Sequence, residues 1–255
     1  MKKSDWIFLS HTHYERLVEL KKLEFIFSAI HKYVFQHEKD IDKLMILEVG
    51  CGEGGITVPL GSLGCHVRAF DINEKAVQSA KTKINEKEFQ NVIVSVDDGC
   101  TFDDGKYYDV VIASEVLEHV QDPFRFIANI SRRMRIGSYF IITVPNGFGP
   151  WELRNRIFMN KLDRCNVIRC MLGKKSYNKT PGAEHLQFYR KSQLLYMLSR
   201  FSFDLVDFSN SDSVFAAFWM PINKPNKLLE KIDIALADLL PYWCASGWYL
   251  LFMKK

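Results

Sequence analysis

The sequence predicts an α/β protein built on a doubly wound, mostly parallel sheet of seven strands, with helices ahead of the sheet and a helical lid inserted after the fifth strand. Three observations predict it. Short continuous runs of Val, Ile and Leu alternate with helical segments from Leu44 to Val144, as parallel strands covered on both faces do. The first run passes straight into a turn with glycines at alternating positions, Gly50, Gly52 and Gly54, and then into a helix start. Acids stand just after the strands, Asp71 after the second, Asp97 and Asp98 after the third and Glu115 after the fourth. Ligands of such sheets bind at the carboxyl ends of the strands.

Length and composition bound the rest. With 255 residues, 47% of them hydrophobic, the chain is long enough for one sizeable core and short for two full domains. A single domain over 1–255 is expected, divided into N-terminal helices (1–43), a ligand-binding core (44–145), a lid (146–189) and C-terminal strands and helices (190–255). Met1 to Asp5 is charged and does not resemble a secretory signal, so a cytoplasmic location is expected. Six cysteines without regular spacing, with Cys51, Cys65 and Cys100 inside apparent strands, argue for reduced thiols, and Cys165 and Cys170 are too isolated for a zinc site. The stretch Ile234 to Met253 has the length of a bilayer span, but Pro241 and Gly247 break it into a helix ending near Leu240 and a final strand. No transmembrane segment is expected, which leaves peripheral membrane contact open.

Taken in order, Ser4 to Gln36 places Leu17, Leu20, Leu23, Phe27, Ile30 and Val34 at helical spacing, with His11, His13 and Tyr14 on an arm before them. Strand Leu44–Val49 leads through the glycine turn to a helix from about Gly55 to Leu63. Strand His66–Asp71, helix Glu74–Asn85 and strands Val92–Val96 and Tyr108–Ala113 follow. Helix Phe124–Arg135 then carries Arg132, Arg133 and Arg135 at its end, where cations suit the dipole, and strand Tyr139–Val144 closes the core. Gly147, Gly149 and Pro150 open the insertion, and Gly173, Pro181 and Gly182 stand toward its exit. The tail repeats the alternation: helix Lys191–Arg200, strand Phe203–Phe208, an apolar stretch Val214–Ile222, helix Leu228–Leu240 and strand Trp248–Phe252.

The turn carries the first chemistry. Glycines without a Cβ can take positive φ and let a ligand sit against the backbone, and the N–H groups of the following helix start are unpaired. Glycine loops of this kind cradle nucleotides. Asp71, about twenty residues on, can take both hydroxyls of a ribose. It is equally placed to cap the helix that Asn73 and Glu74 begin.

Glu48-Val-Gly-Cys-Gly-Glu-Gly54, then Asp71, then Tyr108-Asp-Val-Val-Ile-Ala-Ser-Glu-Val-Leu-Glu-His-Val120 resembles the class I S-adenosylmethionine-dependent methyltransferases, and within them the subfamily of the ubiquinone-biosynthesis O-methyltransferases. The likeness covers about Leu44 to Pro145. It implies a Rossmann-like fold whose last strand is antiparallel and inserted between the fifth and sixth. It also implies that Glu48, Gly50, Cys51, Gly52 and Gly54 hold the methionine end of S-adenosylmethionine and Asp71 the ribose, with Ile72, Ser114 and Glu115 among the cofactor contacts. Asp97 or Asp98 would face the adenine amino group. An NAD-binding protein is the nearest rival, but its usual glycine spacing differs. A cofactor-binding scaffold without catalysis is the competitor from another class.

Transfer to a hydroxyl needs a group that takes or lowers its proton. His119 and His185 are the candidate catalytic residues. Glu115, Glu118 and His119 are spaced i, i+3, i+4, which on a helical turn places two carboxylates and an imidazole on one face. With His185 they form a candidate site for a divalent metal that acidifies the acceptor. The ubiquinone-type and small-RNA 2′-O-methyltransferases carry a similar Glu-x-x-Glu-His with a further histidine downstream. The acceptor is expected to be a small molecule, and an anionic one, because Trp151 to Thr180 holds eight Lys or Arg against Glu152 and Asp163. Trp151, Phe158, Tyr177, Phe188 and Tyr189 could line a pocket for a ring or an apolar chain. A phosphate-linked sugar or a prenylated phenol at an anionic membrane suits this mixture. A small RNA or other nucleic acid ranks last, because a net charge of +4 gives no broad basic face.

Overall fold

The computed structural model of the protein describes residues 17–149, 185–212 and 227–255. These residues form one seven-stranded sheet: β1 (Met45–Val49), β2 (His66–Asp71), β3 (Val92–Val96), β4 (Tyr108–Ser114), β5 (Met134–Pro145), β6 (Phe203–Asn210) and β7 (Gly247–Lys254). The spatial order is β3-β2-β1-β4-β5-β7-β6. The first five strands pair in parallel, and β7 runs antiparallel to both β5 and β6, in the slot expected of it. The strand order reverses between β1 and β4, which opens a crevice at their carboxyl ends.

Alternate strand residues feed two cores. Ile46, Val110, Ile112 and Ile141 face α1 (Leu17–Gln36), α2 (Thr57–Ser62) and α3 (Glu74–Glu86), while Leu47, Val111, Phe140 and Ile142 face α4 (Pro123–Arg132) and α5 (Lys191–Ser199). A continuous Val/Ile/Leu run is what a strand buried on both sides requires. α6 (Lys227–Leu239) packs on α1 and β6. It ends ahead of Pro241, and no helix among the described residues is long and apolar enough to cross a membrane.

One predicted element ends early. The helix expected to reach Arg135 stops at Arg132, because the Arg133 carbonyl accepts the Tyr108 N–H at 2.8 Å and Met134 already pairs with β4. Only Arg132 therefore sits in a last helical turn. Arg133 reaches Asp103 at 2.5 Å, and Arg135 lies in β5 with its guanidinium 4.8 Å from the Tyr107 ring centre. The cysteines also shift: Cys51 is in the glycine turn, Cys65 just precedes β2 and Cys100 follows β3, all with free thiols. His11, His13 and Tyr14, the basic run of the lid and the stretch Val214–Ile222 lie outside the described residues.

Candidate functional site

The glycine turn folds back on β2: the N–H groups of Gly50 and Cys51 both donate to the Phe70 carbonyl, at 2.8 and 3.0 Å. Its three glycines have positive φ, +70° at Gly50, +50° at Gly52 and +83° at Gly54, but they serve different ends. A Cβ on Gly50 would meet Val116 Cγ2 at 2.4 Å, and one on Gly54 would meet the Ala80 Cβ at 3.3 Å, so these two let the turn pack against its neighbours. A Cβ on Gly52 would meet nothing within 4 Å. That residue presents bare backbone to open space.

Asp71 fixes this arrangement. One carboxylate oxygen accepts the Gly52 N–H at 2.8 Å and the other the Asn73 N–H at 2.8 Å. The cap of α3 is Asn73, whose side chain accepts from Lys75 and Ala76, so the capping role open to Asp71 in the sequence belongs to Asn73. Ile72, between them, is 75% exposed. Glu48 lies behind the turn, buried, and accepts the Thr57 hydroxyl at 2.5 Å. Burial pushes its carboxyl up to about 8, against the pull of the Thr57 hydrogen bond.

The two acids after β3 separate. Asp97, whose N–H bonds the Asp71 carbonyl at 3.1 Å, has its carboxylate 3.9 Å from the Arg68 guanidinium. Asp98 is exposed and starts the next turn, accepting the Cys100 N–H at 2.8 Å.

After β4 the chain bends sharply at Glu115, whose φ is +55°. Thr143 of β5 holds the bend: its hydroxyl donates to the Glu115 carboxylate at 2.7 Å and lies 2.9 Å from the Ser114 hydroxyl, while its carbonyl accepts the Glu115 N–H at 2.9 Å. The next residues, Leu117–His119, make a single 3₁₀ turn. Glu115 is thus outside the turn that carries Glu118 and His119, and the predicted single helical face does not form.

A tighter group does form. Glu118, His119 and His185 each bring a ligand atom within 4.8 Å of the others, and the two imidazole centres are 5.1 Å apart. His185 arrives on a strap tied down by contacts that the sequence did not signal: the N–H groups of Leu186 and Gln187 both donate to the Glu118 carbonyl, at 2.8 and 2.9 Å, and the Tyr189 hydroxyl donates to the Leu117 carbonyl at 3.1 Å. Gly147 makes room for it, since a Cβ there would lie 2.7 Å from the Phe188 backbone. Glu118 itself is 1% exposed, and among the described residues its carboxylate oxygens have no well-formed hydrogen bond, only the Glu115 carboxyl close by. Burial first, and the charge of Glu115 second, drive its carboxyl well above the usual range. Thr57 and Thr143 are the supports that sequence reasoning missed, because a lone hydroxyl in an apolar run carries no signal until its partner is known, and Tyr189, expected to line an acceptor pocket, is buried and ties the segment to Leu117.

Comparison with known proteins agrees with this geometry. The methyltransferase domain family matches residues 47–142. A ubiquinone biosynthesis O-methyltransferase of Rickettsia felis is 36% identical over 126 residues, 49% of this chain and 49% of that protein. The chain spans about half the length of the curated relatives it matches. Among solved structures, the magnesium protoporphyrin IX methyltransferase of Synechocystis PCC 6803 with bound SAH has a TM-score of 0.57 at 16% identity, covering 98% of this chain and 93% of that one. The [4+2]-cyclase SpnF has a TM-score of 0.53 at 16% identity, over 83% and 75% of the two chains, so the fold by itself does not name a reaction. The segment that carries the glycine turn, Asp71 and Glu118 is the segment that the methyltransferase domain family matches.

Proposed function

We propose that the protein is an S-adenosylmethionine-dependent methyltransferase that methylates an oxygen of a small-molecule acceptor. The carrying observation is the bare backbone of Gly52 beside the Asp71 carboxylate, at the point where the strand order reverses. The residues there fit the cofactor. A space that a Cβ would fill lies next to an acid able to take a ribose, an exposed apolar Ile72 stands beside it, and Asp71, Asp97, Asp98 and Glu115 make this edge acidic, as a cationic ligand needs.

S-adenosylmethionine, when bound, supplies a methyl group already activated on a sulfonium, so the protein has mainly to align the acceptor. Gly50, Cys51, Gly52 and Gly54 offer backbone to the methionine end, with Glu48 behind them. Each Asp71 oxygen spends one lone pair on the turn and keeps one for a ribose hydroxyl. Asp97 or Asp98 takes the adenine amino group, and Ser114 and Glu115 border the methionine side.

The acceptor's proton falls to the Glu118 group. His119 or His185 takes it as a general base, or Glu118, His119 and His185 hold a divalent ion that acidifies the acceptor hydroxyl. The grouping of the buried Glu118 with two imidazoles supports the ion, since a carboxylate can ionise at such a depth only beside a cation. An anionic acceptor is supported by the composition of residues 151–180, with eight Lys or Arg against two acids. The names of the Rickettsia relatives support a ring-bearing, quinone-precursor acceptor.

The test is turnover. Incubation with S-adenosylmethionine and a panel of phenolic, quinol and phosphorylated sugar acceptors should yield S-adenosylhomocysteine, and calorimetric titration should show micromolar cofactor binding with none for NAD. Tight cofactor binding without turnover on any acceptor would favour a scaffold, and NAD binding would overturn the reading.

A further inference from the structure

α6 is turned inside out for a surface helix. Glu230, Asp233 and Ala237 are buried against the body of the protein, whereas Leu228, Ile232, Ala235 and Leu239 face solvent, with Leu228 67% and Leu239 82% exposed. An amphipathic surface helix ordinarily buries its apolar stripe and exposes its acids. Here the core has not taken the stripe, which marks it as a surface for another molecule.

The spacing of the stripe says what shape fits it. Leu228, Ile232, Ala235 and Leu239 follow one another by four, three and four residues, the a/d spacing of a coiled-coil seam, and stay within about 60° of the helix circumference. A second helix is what such a seam accepts. This seam is also complementary to itself when two copies run antiparallel about a two-fold axis. Leu239 of one copy then meets Leu228 of the other at both ends, and in the middle Ile232 meets Ala235, a large side chain against a small one. A parallel pair would set Ala235 against Ala235 and leave a void.

Charge agrees with the antiparallel register. Lys231 and Asp238 are exposed on one flank of the stripe, seven residues apart, and the same axis brings Lys231 of each copy beside Asp238 of the other. Asp238 holds Lys21 of α1 through one oxygen at 2.7 Å, yet its side chain is still 53% exposed. A parallel pair would instead bring Lys231 beside Leu236.

We infer that the protein forms a two-fold dimer through α6, with the two copies of the helix antiparallel. Two helices of 13 residues bury less than a standard interface of about 1,200–2,000 Å², so the dimer is a weak one, with a Kd of about 10–100 μM. Dimerisation does not depend on the methyl-transfer reading.

Sedimentation velocity of the full chain tests it: over about 1–300 μM the mass should rise from one chain toward two. Ala235→Glu places a charge in the middle of the seam, at a position exposed in the single chain. It should raise the dimer Kd at least tenfold without moving the melting temperature. Lys231→Glu sets like charges beside each other at both ends of the seam and should raise Kd about three- to tenfold at low salt, an effect that shrinks as salt is added. A chain that stays single at every concentration, or a dimer that Ala235→Glu leaves intact, would overturn the proposal. A dimer that Ala235→Glu disrupts and Lys231→Glu leaves unchanged would overturn the antiparallel register.

Discussion

Asp71 holds Gly52: the carboxylate accepts that residue's N–H at 2.8 Å, across nineteen positions of sequence, and anchors the Asn73 N–H with its other oxygen. One side chain thus shapes the glycine turn and the entrance to α3 together. Asp71→Ala removes two charge-assisted hydrogen bonds and the ribose contact proposed for it. Cofactor Kd is expected to rise roughly ten- to hundredfold, since hydrogen bonds to charged groups contribute about 1.5–3 kcal/mol each. Asp71→Asn, which keeps one acceptor, should fall between. Calorimetric titration reads both, and a folded Asp71→Ala protein with unaltered affinity would remove the ribose role.

Gly50 faces a steric limit that Gly52 does not. A Cβ at Gly50 would lie 2.4 Å from Val116 Cγ2, and the φ of +70° is costly for any other residue. Gly50→Ala should lower stability by about 2–4 kcal/mol, combining overpacking with backbone strain. Val116→Ala added to it should restore the packing part and leave about 1 kcal/mol of backbone cost. Urea denaturation of the two variants and the Val116→Ala parent measures the coupling. Additive losses would show that the turn does not press on Val116.

The parallel strands were legible because a run such as Met45 to Val49, buried on both faces, has no other good reading. The acids after strands were legible because the fold class places ligands there. Other features depended on partners far away in sequence. The end of α4 is decided by Tyr108 claiming the Arg133 carbonyl, so helical periodicity through Arg135 misled. Glu115, Glu118 and His119 fit a helical face by spacing, but Thr143 bends the chain at Glu115, so that the Glu115 carboxyl comes to lie beside Glu118 from a bend and not from a shared helix. The approach of His185 to His119 rests on two N–H groups meeting the Glu118 carbonyl, a contact no local pattern announces.

Glu48 links pH to stability. Its carboxyl titrates near 8 in the fold and near 4.5 when unfolded, so between those values the folded state binds the extra proton. Stability must then fall as pH rises across that window. Between pH 6 and 8 the loss reaches at most about 2 kcal/mol, at about 1.4 kcal/mol per pH unit. Glu48→Gln still accepts from Thr57 and carries no titratable proton, so its stability relative to wild type should improve with rising pH over that range. Melting curves of the two proteins without ligand decide it, and parallel pH profiles would place the Glu48 carboxyl in the ordinary range.

Glu118 decides between the two ways of handling the acceptor's proton. It is buried beside Glu115, its oxygens have no well-formed hydrogen bond among the described residues, and His119 and His185 stand within 4.8 Å. A divalent ion there would draw the carboxyl proton off and give both oxygens a partner; imidazole and carboxylate together suit Zn²⁺ or Mn²⁺, and Mg²⁺ less well. If an ion is used, chelator should cut S-adenosylhomocysteine formation at least tenfold, and Zn²⁺, Mn²⁺ or Mg²⁺ should restore it. Titration of Mn²⁺ into the apoprotein should show one site that Glu118→Gln weakens by about ten- to hundredfold, with proton release that makes the measured heat depend on the buffer. Full turnover in chelator would instead leave an imidazole as the base. Whichever of His119→Ala and His185→Ala abolishes turnover at unchanged cofactor affinity would then identify the ring that takes the proton.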